Sequence, residues 1–182
     1  VARPQEEEIG EIIQGCIHKN EKSREVLYRK FFGYAMSVAL LYANDRGNAT
    51  EIVNDSFIKV FNDIRKFDTS MSFKSWFRRI VINTAIDRFR KESRKQATML
   101  IDDLPLHDSE PGAISKISAE EIISLLNNLP LIHKTVFCLY EIEGYKHEEI
   151  AKELKIPESS SRVYLTRAKK RLQELYQLHF NS

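Results

Sequence analysis

The stretch SFKSWFRRIVINTAIDRFRKESRK, Ser72–Lys95, decides how the rest of the chain is read. Phe73, Trp76, Phe77, Ile80, Val81, Ala85, Ile86 and Phe89 recur three and four residues apart, the spacing that lines side chains along one face of a helix. Ser72 stands where a helix N-cap is expected. The apolar face explains itself as core, because each large side chain withdrawn from water contributes about 1.5–3 kcal/mol. The opposite side does not. It carries Lys74, Arg78, Arg79, Asn83, Arg88, Arg90, Lys91, Arg94 and Lys95, more positive charge on one side than a helical bundle needs for its own stability.

Upstream, short helical patterns repeat. Ile9, Ile12, Ile13, Cys16 and Ile17 mark one apolar face, and Leu27, Phe31, Tyr34, Ala35, Val38 and Tyr42 mark a second. Asn48 with Glu51 three residues on reads as a capping box, opening a helix whose stripe is Val53, Phe57, Val60, Phe61 and Ile64. Six glycines and five prolines in 182 residues, and no run of period two, point to an all-α protein. With 42% hydrophobic residues the chain can bury one compact core or two small ones.

Downstream, residues 96–117 (QATMLIDDLPLHDSEPGAISKI) combine Pro105, Pro111 and Gly112 with clustered acids and lose the helical period, so they read as a flexible linker. At about 3.3 Å per extended residue the linker reaches roughly 70 Å, near two turns of duplex DNA at about 34–36 Å each. The expected organisation is therefore two small helical domains, residues 1–95 and 118–182, joined by that linker. Ser118 with Glu121 opens the second as another capping box. Leu125, Leu126 and Leu129 lead to Pro130, and a helix through Val136, Phe137 and Tyr140 ends near Gly144. A short helix with Ile150, Ala151 and Leu154, a turn at Ile156 and Pro157, and a longer basic helix with Leu165, Ala168, Leu172 and Leu175 inward make a helix-turn-helix pattern.

The net charge of +2 hides an uneven distribution, basic over Arg65–Lys95 and Arg162–Arg171 and acidic between them. Cys16 and Cys138 lie far apart at apolar helical positions and read as buried thiols. The five histidines form no ligand pattern, so neither a metal nor a cofactor is expected. Nuclease or deaminase chemistry needs clustered carboxylates or zinc ligands, whereas Glu148 and Glu149 read as a solvated face; no catalytic residue is expected. With no signal peptide and no long apolar span, a cytoplasmic protein without membrane insertion is expected.

The two basic helices suit different forms of nucleic acid. Ser159, Ser160, Ser161 and Arg162 begin the second helix of the helix-turn-helix, where N-terminal side chains meet base edges in the major groove. Arg162, Val163, Thr166 and Arg167 share its outward face, while Lys169 and Lys170 suit phosphates. The Ser72–Lys95 helix instead follows the polar loop RKFDTSMS beside aromatics, a setting for unstacked bases, each worth about 1–3 kcal/mol when stacked. Asn83, a neutral amide amid that charge, suits a base's hydrogen-bonding edge.

On these residues the chain resembles a known family. NATEIVNDSFIKVFNDIRKFDTSMSFKSWFRRIVINTAIDRFRK, Asn48–Lys91, resembles region 2 of the extracytoplasmic-function (ECF) sigma factors of the sigma-70 family. LNNLPLIHKTVFCLYEIEGYKHEEIAKELKIPESSSRVYLTRAKKRLQEL, Leu126–Leu175, is similar to their region 4, in the same order and spacing. The resemblance implies an initiation factor that binds core RNA polymerase and directs it to promoter DNA. It places Glu51, Asn54 and Asp55 against the clamp helices of the polymerase's largest subunit. Arg78, Arg79, Asn83 and Asp87, with Lys74 and Arg88 on the same basic helix, fall at the minus-ten element, the Phe67–Met71 loop receiving a flipped base. Ser160, Arg162, Val163, Thr166, Arg167, Lys169 and Lys170 fall at the minus-thirty-five element as duplex. An anti-sigma partner is implied as well.

The resemblance weakens where Ser159 and Ser161 replace the family's frequent glycine and apolar residue, and where Val163 and Tyr164 stand in place of Ser and Arg, so no promoter sequence follows. Asp87 near phosphates is awkward, and pairing with Arg88, Arg90 or Lys91 is its other reading. The alternative for the whole chain is a stand-alone helix-turn-helix regulator that binds a repeated site as a dimer.

Overall fold

The structure, a computed structural model, describes residues 4–97 and 119–180. Every regular element among them is helical, as the apolar spacing predicts. The α-helices are α1 (Pro4–Ile17), α2 (Glu21–Ala39), α3 (Arg46–Asp63), α4 (Phe73–Ala97), α5 (Ala119–Asn127), α6 (Leu131–Phe137), α7 (His147–Leu154) and α8 (Glu158–Phe180). A 3-10 turn over Ile64–Lys66 follows α3, and a π-helical turn over Cys138–Ile142 follows α6. The chain forms two compact units, Val1–Ala39 with Asp45–Ala85, and Leu40–Asn44 with Ile86–Ser182. Gln96 and Ala97, expected to open the linker, end α4 instead; the remainder of the linker, 98–117, lies outside the described residues, as does Ser118 of the second expected capping box.

In the first unit, α1 ends at Ile17 and the chain turns through Lys19, whose φ of 61° is left-handed; Asn20 then caps α2 by accepting the Ser23 amide at 3.1 Å. A Cβ on Gly15 would stand 2.0 Å from the Ser23 hydroxyl, so only glycine permits this close approach of α1 to the start of α2. The cap of α3 differs from expectation. Asp45, not Asn48, is its N-cap: its carboxylate accepts both the Asn48 amide at 2.8 Å and the Asn48 side-chain amide at 2.6 Å. An ionised acceptor holds an exposed helix start better than a neutral amide, which leaves Asn48 inside the first turn.

The core of this unit is a cluster of rings. Phe77 is fully buried, 4.8 Å from Phe57, 5.8 Å from Phe73 and 6.1 Å from Phe31, within the range where aromatic pairs add to simple burial. Ile52, Val53, Val60 and Ile64 from α3 and its turn, and Leu27 and Ala35 from α2, are buried too. On α4 the stripe of Phe73, Phe77, Val81, Ala85 and Ile86 is buried as expected and widens to Ile82 and Thr84; Trp76, Ile80 and Phe89 are only half-buried. The Thr84 hydroxyl donates to the Ile80 carbonyl at 2.7 Å, which makes its burial tolerable.

The second unit holds a buried charge that the sequence does not advertise. Lys134 is 1% exposed, and its ammonium donates to the Leu40 carbonyl at 3.0 Å, the Ala43 carbonyl at 2.7 Å and the Asn127 amide oxygen at 2.6 Å. Burial pushes its pKa down to about 8, which leaves it charged at neutral pH. Cys138 and Tyr42 extend the same seam: the thiol donates to the Leu41 carbonyl at 3.4 Å, and the phenol to the Glu143 carboxylate at 3.2 Å. Burial pushes the Cys138 thiol up to about 12, so it is unreactive, and Cys16 is buried as well.

Leu126, Leu129, Val136, Leu139, Ile150, Leu154, Leu165 and Ala168 pack the helices of this unit, with Leu172 and Leu175 half-buried. The π-helical turn closes at Gly144, whose φ of 75° an L side chain resists. The turn between α7 and α8 passes through Lys155 at φ 56°, and the Ile156 amide donates to the Ala151 carbonyl at 3.1 Å.

Phe77→Ala is expected to cost about 3–5 kcal/mol of stability through the cavity it opens. Lys134→Met is expected to cost about 2–4 kcal/mol, because it strands the carbonyls of Leu40 and Ala43 without a donor. Urea denaturation followed by circular dichroism measures both; an unchanged midpoint for either variant contradicts the packing described.

Candidate nucleic-acid interface

The ring cluster determines which side of α4 meets solvent. At 100° per residue, Arg79 and Asn83 lie one turn apart on one exposed stripe. Lys74 and Arg78 form a second stripe about 100° or more away, Lys74 exposed and Arg78 half-buried. The basic residues of this helix thus do not share one side, as the sequence reading had them; the buried Ile82 and Ile86 lie between the two stripes. The Lys74 ammonium sits 4.5 Å from the centre of the Tyr34 ring, a cation–π contact that steadies it.

Farther along α4, Arg88 and Arg90 are paired with acids. Arg88 meets Glu92 at 3.3 Å, and Arg90 meets Asp87 at 3.4 Å and the Glu153 carboxylate at 2.8 Å, with its Nε donating to the Glu153 carbonyl. Asp87 is therefore an ion-pair partner of Arg90, the second of its two readings, and Arg90 serves α7 rather than a phosphate.

The loop before α4 is shaped from inside. The Phe67 ring packs 5.7 Å from Phe73 and 5.2 Å from Trp76, which anchors the loop's start on the core. Asp68 accepts the Ser70 amide at 2.9 Å, and its carbonyl accepts the Met71 amide at 3.0 Å. The Ser70 amide and hydroxyl hold the Asp68 carboxyl below its ordinary pKa. Met71 is left 40% exposed, and the Phe67 and Trp76 rings are half-buried; exposed apolar and aromatic side chains are the kind that unstacked bases favour.

On α3, Glu51, Asn54 and Asp55 are all exposed and fall three and four residues apart on one face. Asn54 is oriented by the Tyr28 hydroxyl, which donates to its side-chain oxygen at 3.0 Å. Sequence reasoning missed Ile58, one turn on and 59% exposed. The signal was present: Ile58 falls off the apolar stripe of its helix. A large exposed aliphatic beside acids and an amide has the composition of a protein-binding surface.

The second helix of the helix-turn-helix, α8, presents the other set as a single face. Arg162, Val163, Thr166, Arg167, Lys169 and Lys170 are all exposed, within about 160° of helix circumference. Arg162 pairs with Glu158 one turn back, and Lys169 with Glu141 at 2.7 Å. The Thr166 hydroxyl donates to the Arg162 carbonyl at 3.0 Å, so its methyl is the group left to meet a base. Ser160 is half-buried, and Ser161, read from sequence as part of the base-facing start, is fully buried against His147, its Oγ 2.9 Å from Nδ1. The ring of His133 lies 5.1 Å from Tyr164, and burial, reinforced by the Arg167 charge, lowers its pKa. On α7, Glu149 accepts the Lys146 amide at 2.7 Å and so completes the helix start.

Among the described residues no cluster of His, Cys, Asp or Glu is arranged to hold a metal, and no helix is long and apolar enough to cross a membrane. Two family models match the chain, Sigma-70 region 2 over residues 27–95 and Sigma-70 region 4 over residues 119–172. RNA polymerase sigma factor SigV of Bacillus subtilis is 29% identical over 114 residues, covering 63% of this chain and 67% of that protein. The ECF RNA polymerase sigma-E factor of Haemophilus influenzae is 26% identical over 144 residues, covering 72% and 76%. Among solved structures, the sigma factor RpoE of Bartonella quintana, crystallised with the anti-sigma factor NepR, aligns over 84% of this chain and 96% of its own with a TM-score of 0.50. At 19% identity that likeness is one of fold. With both sigma regions present in order, on helices that expose two separate basic surfaces, the chain belongs to the sigma-70 family of transcription initiation factors, in its extracytoplasmic-function class.

Proposed function

We propose that the chain docks on the clamp helices of core RNA polymerase through Glu51, Asn54, Asp55 and the exposed Ile58, and directs the enzyme to promoters by gripping DNA in two forms. Arg79 and Asn83, with Lys74 and Arg78 flanking and the Phe67–Met71 loop alongside, take the minus-ten element as separated strand. Arg88 and Asp87 act there through their ion pairs, trimming local charge rather than touching bases. Arg162, Val163, Thr166 and Arg167 read the minus-thirty-five element as duplex, Lys169 and Lys170 hold phosphates, and Ser160 borders that face. The observation that carries this reading is the undivided exposed face of α8, six residues of suitable chemistry within a sigma region 4.

In this reading residues 1–95 and 118–182 are the two working domains, and 96–117 is the tether that spans the distance between promoter elements. The chain has no catalytic group of its own, works in the cytoplasm beside the polymerase, and is held inactive by an anti-sigma protein until needed. The Bartonella sigma factor of similar fold, crystallised in complex with an anti-sigma factor, supports the existence of such a partner by analogy.

Energetics makes the polymerase obligatory. Opening about ten base-pair steps at about 1.4 kcal/mol each costs roughly 14 kcal/mol, while two captured bases return only about 2–6 kcal/mol.

The test separates the two surfaces. Replacing Glu51, Asn54 and Asp55 together by alanine is expected to weaken association with core polymerase by about tenfold or more, while binding of the free chain to promoter duplex at low salt, followed by fluorescence anisotropy, stays within about twofold. If the triple variant still associates and supports full transcription, the polymerase assignment fails and a stand-alone duplex-binding regulator becomes the better account.

A further inference from the structure

The start of α8 is held by a contact that none of the site assignments uses. Ser161 lies in the first turn of this helix, between Ser160 and Arg162, yet it is wholly buried. A buried hydroxyl needs a partner, and here it is the Nδ1 of His147, 2.9 Å away, on the first residue of α7. The imidazole is in turn stacked on Tyr140, ring centres 4.6 Å apart and planes within 25°, at the π-helical turn that follows α6. One side chain from each of three successive elements therefore meets at the point where α8 begins. Ile150 and Leu154 of α7 and Leu165 and Ala168 of α8 are buried, and apolar packing fixes separation more firmly than it fixes rotation or register. A hydrogen bond is directional and supplies what is missing.

We infer that Tyr140, His147 and Ser161 form a clasp that sets the register of the first turn of α8, so that His147 is a positioning residue for base reading by Arg162 and Thr166. The inference rests on the reading of α8 as the duplex-reading helix. It is particular to this chain, because Ser161 stands where the resemblance leads one to expect an apolar residue. The charged groups around the imidazole come from α8 (Glu158, Arg162, Lys169) and from the π-helical turn (Glu141, paired to Lys169). Burial, with Arg162 and Lys169, outweighs Glu158 and favours the neutral ring. A neutral ring has one donor and one acceptor nitrogen, and a serine hydroxyl, which can donate or accept, complements Nδ1 in either tautomer.

The experiment uses full-length chain assembled with core polymerase, and two duplexes: one whose upstream element the wild-type holoenzyme has selected from a random-sequence pool, and one with that element scrambled. His147→Ala and Ser161→Ala are each expected to weaken binding to the selected duplex by about tenfold and to leave the scrambled duplex unchanged. The double variant is expected to lose no more than either single one. His147→Asn, which keeps a polar atom at the Nδ1 position, is expected to recover most of the loss, and His147→Gln is not. Nitrogen-15 spectra of the histidines should show the Nδ1 resonance of His147 move in Ser161→Ala, a variant that removes one oxygen and leaves no cavity to disturb folding.

Losses that are equal on both duplexes, losses that add in the double variant, or an Nδ1 resonance indifferent to Ser161 overturn the clasp. A wild-type holoenzyme that selects no upstream element overturns the reading of α8 itself, and with it the inference; the nitrogen spectra distinguish that failure from failure of the contact.

Discussion

The roll of α4 about its own axis is set by the rings of Phe31, Phe57, Phe73 and Phe77, and everything proposed for the minus-ten surface depends on that roll. Rings 4.8–6.1 Å apart tolerate little rotation before they lose contact or collide. With Phe77 locked inward, Arg79 and Asn83 are turned to solvent and Lys74 and Arg78 are turned to a second flank. The same cluster reaches into the preceding loop through Phe67 and Trp76, so the apolar residues that hold the unit together also shape the surface where a base is proposed to rest. Binding chemistry here is a consequence of packing: no basic residue has to be individually steered when the helix beneath it cannot turn.

The second unit uses polar contacts for the same purpose. Lys134 satisfies three buried oxygens, Ser161 is satisfied by His147, and Glu149 caps α7. All are directional contacts, and those of Lys134 and Ser161 lie in the interior, where apolar side chains are the usual filling. A buried charge adds little net stability compared with a well-packed aliphatic, but it penalises every arrangement in which its partners are misplaced. That suits a module whose function is to present a rigid row of side chains to a groove.

Much of this was legible in the sequence because helical spacing reports burial directly. The stripes of α2, α3 and α4 hold, as do the turn at Pro157 and the outward face of α8, since each depends on a period or a backbone preference. What escaped depends on contacts between residues distant in sequence. Lys134 reads as one more surface cation until two of its acceptors, more than 90 residues earlier, are brought to it. Ser161 reads as a base-facing serine until His147 is placed beside it. Asp45 and Asn48 are both good caps by type, and only the geometry of the turn selects between them. The single basic side expected for α4 divides because the helix is covered on more than one flank, which a single apolar stripe does not reveal. The site residues themselves came from resemblance more than from charge: Glu51, Asn54 and Asp55 form an ordinary polar face, and the exposed Ile58 beside them is its one physical mark.

The account depends on division of labour, in which this chain supplies recognition and the polymerase supplies the energy for strand separation. Permanganate reactivity of thymines at a promoter measures that division directly, with free chain, core polymerase alone and the two together on the same DNA. Reactivity confined to the combined sample, accompanied by transcripts that begin at defined positions, is the predicted result. Strand opening by the free chain, or none when both are present, would contradict it.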